Sequence, residues 1–62
     1  MRYVLIERFH GSVIRRSLNL SLKELHRIMV QLKPDHVWPD GEAIVDEIAG
    51  FDPERFAVEV VK

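Results

Sequence analysis

A helix-start signal in the stretch LSLKEL, residues 20 to 25, is the strongest constraint on the fold. In a capping box, a serine side chain accepts a hydrogen bond from the amide three residues later, and a glutamate at that later position accepts one from the serine amide. Ser21 and Glu24 have this spacing. Because proline ends a helix, we expect this one to span Leu22 to about Lys33, just before Pro34. Its apolar face consists of Leu22, Leu25, Ile28, Met29 and Leu32.

Two strands joined by a tight turn are predicted before this helix. Residues 2–9 contain no breaker and include a continuous apolar run, VLI, which indicates a central strand. Residues 10–12 form the turn, with Gly11 available for a positive φ angle. Residues 13–18 form the return strand.

The length of the turn decides which side chains face each other across this hairpin. A three-residue loop would pair Glu7 with Arg15 and Phe9 with Val13, which joins opposite charges and apolar side chains. A two-residue turn would instead pair Glu7 with Ile14. We therefore favour the three-residue loop.

A second helix and a last strand are predicted in the other half. Asp40 is the expected N-cap of a helix from Gly41 to Ala49, and Gly50 the residue that follows it. The residues of its apolar face are Ile44, Val45, Ile48 and Ala49. A single turn at 52–54 precedes a strand at 56–61, in which Phe56, Val58 and Val60 share one face.

The element order β-β-α-α-β predicts an α+β fold. We expect a small two-layer domain, with a three-stranded, mainly antiparallel sheet and two helices packed on one face. The chain has 62 residues, so residues 1–62 form one domain. It contains no cysteine, which excludes disulfides and thiolate zinc sites. The N-terminal apolar run is too short for a signal peptide or membrane span, so we expect a soluble, cytoplasmic protein without membrane contact.

Charge is distributed unequally along the chain. Residues 1–33 contain seven lysines or arginines and two acids, a net charge of +5, whereas residues 34–62 contain two basic residues and eight acids, a net charge of −6. Such asymmetry is typical of a surface that binds a partner. The alternative is that the two halves fold against each other and compensate.

Metal, cofactor and catalytic motifs are not found in the sequence. The loop HVWPDGEAIVDE places an Asp-Gly pair six residues before Glu47, as calcium loops do. His36 and Trp38 would occupy its first and third ligand positions, and neither side chain supplies an oxygen. No nucleophile motif or phosphate-binding glycine loop occurs. We therefore expect no metal, no cofactor and no enzymatic activity.

Nucleic-acid binding is the second functional interpretation. Basic side chains on the hairpin and the first helix could form one stripe that neutralises phosphates. These residues are Arg15, Arg16, Lys23, His26, Arg27 and Lys33. The strand-helix-helix order of residues 13–51 also resembles ribbon-helix-helix repressors. That resemblance implies that Arg15, Ser17 and Asn19 point out of a DNA-binding ribbon, while Leu18 and Leu20 face a dimer core.

Protein binding is the preferred interpretation. The edge strands of a small sheet, here the second and third strands, can pair with another chain. The loop after the first helix also places apolar side chains beside acids, an arrangement typical of interface hot spots. The candidate residues are Val37, Trp38, Glu42, Asp46 and Glu47. We expect a small non-enzymatic accessory or regulatory protein that binds a basic protein or forms a homodimer. In the alternative, Val37 and Trp38 fold over the core as a lid.

Overall fold

The predicted α+β architecture is confirmed by a computed structural model that describes residues 1–62. The elements are β1 (Arg2–Phe9), β2 (Ser12–Arg16), α1 (Leu22–Leu32), α2 (Ala43–Phe51) and β3 (Phe56–Val61). The sheet has the order β2-β1-β3, and both pairings are antiparallel. The most apolar strand is therefore central, as expected.

The hydrophobic core lies between one face of the sheet and the two helices. Alternation along β1 turns Tyr3 and Leu5 toward the helices, and Val4 and Ile6 toward the opposite face. The buried cluster consists of Tyr3, Leu5, Leu20, Leu25, Met29, Trp38, Ile44, Ile48 and Phe56. Both helices contribute to this one cluster, so both cover the same face of the sheet.

Helix α1 begins with the predicted capping box. The amide of Glu24 donates to Ser21 Oγ at 3.2 Å, and the amide of Ser21 donates to Glu24 Oε1 at 2.9 Å. Leu25 and Met29 are fully buried on its inner face. The helix ends at Leu32, with Lys33 as its C-cap.

The hairpin turn has two residues rather than the predicted three. Phe9 pairs with Ser12, and the two residues between them have φ angles of 50° and 80°, which fit a type I′ turn. A bulge then shifts the register, so Glu7 still pairs with Arg15. The predicted pairing of Phe9 with Val13 is therefore wrong, and the predicted ion pair is right.

Helix α2 lies two residues later than predicted. It begins at Ala43 after Glu42, which makes no side-chain cap bond, so Asp40 is not its N-cap. Gly41 has a φ of 70° and precedes the helix instead of starting it. Gly50 lies inside the helix, and Ile44 and Ile48 are its fully buried residues. Ala49, expected on the apolar face, is exposed.

Strand β3 follows a hydrogen-bonded turn at the predicted position. The amides of Arg55 and Phe56 donate to the carbonyl of Asp52 at 3.0 and 2.9 Å. Phe56 is buried, and Val58 packs against the core. The pairing of β3 with β1 runs without a register shift from one end of β3 to the other.

Candidate functional site

Trp38 covers the core and does not project from the surface. Only 6% of it is exposed, and its Nε1 donates to the carbonyl of Lys33 at 3.1 Å. Its ring lies 5.2 Å from the ring of Phe51 and 4.4 Å from that of His36, measured between centroids. Val37 beside it is 89% exposed. Of the two predicted loop residues, Trp38 therefore acts as a lid, and only Val37 is available to a partner.

Two histidines anchor the loop that contains Trp38. His26 Nε2 lies 3.1 Å from the carbonyl oxygen of Trp38, a contact in which the imidazole must donate, and 3.6 Å from Asp40 Oδ1. His36 Nε2 lies 2.6 Å from Glu47 Oε2. Of the three acidic residues predicted to bind a partner, Glu47 is therefore engaged in a contact within the chain.

The acidic candidates on α2 form only a small surface. Glu42 and Asp46 are exposed and have no ion-pair partner within 4.0 Å, whereas Glu47 is half-buried against His36. No group of three or more histidine, cysteine or carboxylate side chains is arranged to hold a metal ion.

The predicted basic stripe is divided between two faces of the molecule. Arg15 lies 3.4 Å from Glu7 on the face that carries the helices. Arg16 points the other way, because successive residues of a strand alternate. Its guanidinium binds both oxygens of Glu59, with Nη2–Oε1 at 2.7 Å and Nη1–Oε2 at 3.2 Å. The two hairpin arginines therefore neither converge nor carry unbalanced charge.

Three of the predicted cations do lie together on α1. Lys23, His26 and Arg27 line one shallow groove, together with Val30 and Asp40. Lys33 does not line that groove, since it caps the other end of the helix. A continuous phosphate-binding track across the hairpin and α1 is therefore not formed.

The resemblance to ribbon-helix-helix repressors implies that Leu18 and Leu20 face a dimer core, and the structure places neither of them in that environment. Leu20 lies in the core of the same chain, and Leu18 is 86% exposed. Strand β2 pairs with β1 of its own chain along one edge.

On the sheet face opposite the helices, an ion pair covers part of the central strand. Val4 and Ile6 point to this face and are buried, although no helix covers them. Arg16 pairs with Ile6 on one side of β1, and Glu59 pairs with Val4 on the other. Their ion pair therefore crosses β1 above these two side chains. The hydrogen bond and the charge of Arg16 lower the pKa of Glu59, and Glu59 raises the pKa of Arg16.

The outer edge of β3 presents free backbone groups. The amide of Arg8 donates to the carbonyl of Arg55 at 2.7 Å. In an antiparallel ladder, residues that bond to the neighbouring strand alternate with residues that point away. The backbone groups of Ala57, Glu59 and Val61 therefore bond to β1. Val58 and Val60 turn their amides and carbonyls to the free edge, and Val60 is 48% exposed.

The sequence predicted β3 as one of two edge strands, but it did not predict which backbone groups of β3 are free, because that depends on the register with β1. No family model, curated protein or solved structure matches the chain. In addition, none of its helices is long and apolar enough to cross a membrane. The candidate site therefore depends on the geometry of the chain itself: the free edge of β3, with the acidic outer face of α2 beside it.

Proposed function

We propose that the chain is a small, cytoplasmic, non-enzymatic accessory or regulatory protein that binds a protein partner by strand addition along β3. In strand addition, an extended segment of a partner forms main-chain hydrogen bonds with an edge strand, and side-chain contacts supply selectivity. The observation that carries the proposal is the row of outward backbone groups at Val58 and Val60, on a regular strand with no bulge or proline.

Two further features of β3 support this role. Its only charged residue is Glu59, whose carboxylate is already neutralised by Arg16. Its inner face packs on the core through Phe56 and Val58, so the strand is already formed before a partner binds. A preformed strand loses less conformational freedom on binding than a disordered one.

The charge beside the edge favours one kind of partner. Helix α2 packs against β3, and its exposed outer side contains Asp46, with Glu42 at its N-terminus. A strand with basic residues near its ends would have favourable electrostatic interactions there, which raise the rate of association.

A displayed library of random peptides tests this proposal. Wild-type protein, immobilised sparsely, is expected to enrich peptides that have β-branched residues at every second position. A proline at position 58 removes an outward amide without removing a bond to β1, so Val58→Pro should abolish enrichment. Val13→Pro is the matched control. Residue 13 follows the pair that closes the turn, so its backbone amide also points away from β1, but from the edge formed by β2. Circular dichroism checks that both variants fold.

Two results would overturn strand addition along β3. One is the absence of any enriched peptide family with wild-type protein. The other is enrichment that survives Val58→Pro in a folded variant.

A further inference from the structure

We propose that a depression at the hairpin end of the sheet binds a nucleoside monophosphate, with its phosphate on Arg8 and Arg55. This site is separate from the free edge of β3 and goes beyond the proposed function. The depression has a volume of about 920 Å³ and lies between the turn of the hairpin and the start of β3. Its walls include Arg8, Phe9, His10, Val13, Glu54 and Arg55.

Two arginines stand directly opposite each other in this depression. The regular pairing of β1 with β3 ends with Glu7 opposite Phe56. At the next position the amide of Arg8 donates to the carbonyl of Arg55 at 2.7 Å. Opposite residues bonded in this way have Cα atoms about 5.5 Å apart, and like charges there are destabilising. An anion bound by both side chains would remove this repulsion.

Neither guanidinium is neutralised within the chain. Arg8 is half-buried, the only arginine that is not exposed, yet it has no carboxylate within 4.0 Å and donates no side-chain hydrogen bond. The guanidinium carbon of Arg55 lies 5.9 Å from the centroid of the Phe56 ring, a contact that leaves its N–H donors free. A charge that is partly buried without a partner is unfavourable, so the site favours an anionic ligand.

The charge of two guanidinium groups matches a phosphate monoester better than a carboxylate. A phosphate monoester carries about −1.5 to −2 charges at pH 7 and has three acceptor oxygens. A carboxylate carries a single charge on two oxygens. Because a guanidinium binds phosphate through two parallel hydrogen bonds, Arg8 and Arg55 can each bind different oxygens of one terminal phosphate.

Glu54 in the same depression favours a ligand that also has hydrogen-bond donors. It is exposed and has no ion-pair partner within 4.0 Å, and it would repel a bare phosphate. In dinucleotide-binding folds an acidic side chain accepts hydrogen bonds from ribose hydroxyls. A ribose supplies such donors, whereas the side chain of a phosphorylated tyrosine does not. Glu54 therefore favours a nucleoside phosphate.

An exposed aromatic ring is available for the base. Phe9 is 55% exposed, and its ring contacts the ring of His10 with centroids 4.2 Å apart. The exposed side chain of Val13 extends this apolar surface along the depression. Bases stack on aromatic side chains with little preference among them, since every base has a π face. We therefore expect all four nucleoside monophosphates to bind.

An NMR titration of the full chain with adenosine 5′-monophosphate tests the site. The amide signals of residues 8–11 and 54–55 should shift. Adenosine, inorganic phosphate and phosphotyrosine each lack part of the ligand and should bind roughly 10-fold more weakly or worse. The absence of shifts at millimolar nucleotide overturns the site. Equal affinity for inorganic phosphate or phosphotyrosine overturns the nucleoside as its ligand.

Arginine substitutions test where the phosphate binds. Arg8→Met and Arg55→Met should each raise the dissociation constant of adenosine 5′-monophosphate by roughly 10-fold or more, because each removes charged hydrogen bonds. Arg27→Met is the matched control, since it removes an exposed, unpaired guanidinium from α1 and should have no effect. Unchanged affinity in a folded Arg55→Met variant, or weaker binding in Arg27→Met, overturns the proposed site. Circular dichroism checks the fold, and Arg55 is exposed, so its variant is expected to fold.

Glu54→Gln tests the contact with the ribose. It should raise the dissociation constant of adenosine 5′-monophosphate by roughly 3- to 10-fold and leave that of the 2′,3′-dideoxy form unchanged. Equal effects on the two ligands, or none on either, would overturn this contact.

A 5′-phosphorylated trinucleotide distinguishes the two sources of the ligand. Tighter binding than the mononucleotide supports the end of a nucleic-acid strand, and equal or weaker binding supports a free nucleotide. The Val58→Pro variant should bind the nucleotide like the wild type, because Val58 is not part of the depression. Nucleotide binding and strand addition along β3 can therefore fail separately.

Discussion

The two edges of the sheet lie on either side of β1, but only one is protected against pairing. Strand β2 contains a bulge and two consecutive arginines, Arg15 and Arg16, at the end of its five residues. Bulges and charged side chains are common devices that keep an edge from pairing with another chain. Strand β3 has six residues in regular register and one neutralised carboxylate. This difference is the reason for proposing β3, and not β2, as the edge that binds a partner.

The support behind the two edges also differs. Every residue of β2 is exposed, including Val13 and Ile14. Strand β3 packs through Phe56 and Val58 on the core formed with α2. The protected edge therefore contributes little to the core, and the unprotected edge is part of it. A partner that pairs with β3 would bind to the better packed of the two edge strands.

The largest expected effect comes from removing the protection of β2. The double variant Arg15→Val, Arg16→Val leaves an exposed run of β-branched residues on this edge, a segment of the kind that aggregates. We expect assemblies far heavier than the wild type in sedimentation velocity and light scattering. Lys23→Val, Arg27→Val removes the same charge from α1 and should leave the mass unchanged. Equal masses for the two double variants would show that the arginines do not protect the edge.

Alanine substitutions compare how much each edge strand contributes to the core. Phe56→Ala removes a buried ring and should lower the free energy of unfolding by about 3–5 kcal/mol. Ile14→Ala removes an exposed side chain and should lower it by less than about 0.5 kcal/mol. Urea unfolding followed by circular dichroism measures both values. Similar losses in the two variants would contradict the assignment of β3 to the core and of β2 to the surface.

Alanine at Gly11 tests the turn that forms the β2 edge. Gly11 has a φ of 80°, and no atom lies within 4 Å of an added Cβ, so the cost is in the backbone alone. We expect a loss of about 1–2 kcal/mol in the free energy of unfolding. Gly50→Ala is the control: it has the same open surroundings inside α2 and should gain about 0.5–1 kcal/mol. A stabilised Gly11→Ala variant would exclude the type I′ turn.

The smallest expected effect concerns the ion pair that links β2 and β3. Arg16 lowers the pKa of Glu59 from its ordinary value of 4.5, so the pair stabilises the fold at pH values above 4.5. That contribution is lost as the pH falls through the lowered pKa. Arg16→Met should return the pKa of Glu59 toward 4.5 in a carboxyl-carbon NMR titration.

Glu24 is the internal reference for that titration. Hydrogen bonds from Ser21 lower its pKa, and these bonds do not involve Arg16. Its titration should therefore be the same in wild type and Arg16→Met. An unchanged titration of Glu59 would exclude the ion pair in solution.

Local signals in the sequence predicted the fold well. The capping box at Ser21 and Glu24, the apolar run in β1 and the turn at 52–54 involve neighbours in the chain, and each formed as expected. The exact hairpin turn was not predictable in the same way. The pairing of Glu7 with Arg15 fits a three-residue loop, and equally a two-residue turn followed by a bulge. Helix α2 was placed too early because the Asp-Gly pair at residues 40–41 resembles a helix start.

The candidate site was predictable only in outline. The sequence indicated that β2 and β3 would be edge strands, but the free groups of β3 depend on its register with β1. The Arg16–Glu59 pair joins residues 43 positions apart across a third strand, which no local pattern reveals. The sequence left open whether Trp38 faces a partner or the core. The answer depends on whether its ring fits between α1 and α2, which only the packed structure shows.

The position of Trp38 has a practical consequence for measuring this protein. It is the only tryptophan, and it is enclosed by His36, Phe51 and the carbonyl of Lys33. Its fluorescence therefore comes from one site, and opening of the loop should shift the emission to longer wavelength. Trp38 does not lie on the β3 edge. Its emission wavelength therefore reports unfolding of the chain, whereas binding of a partner to β3 is measured from the hydrodynamic mass. The chain thus contains its own optical label, with which folding can be followed without any added dye.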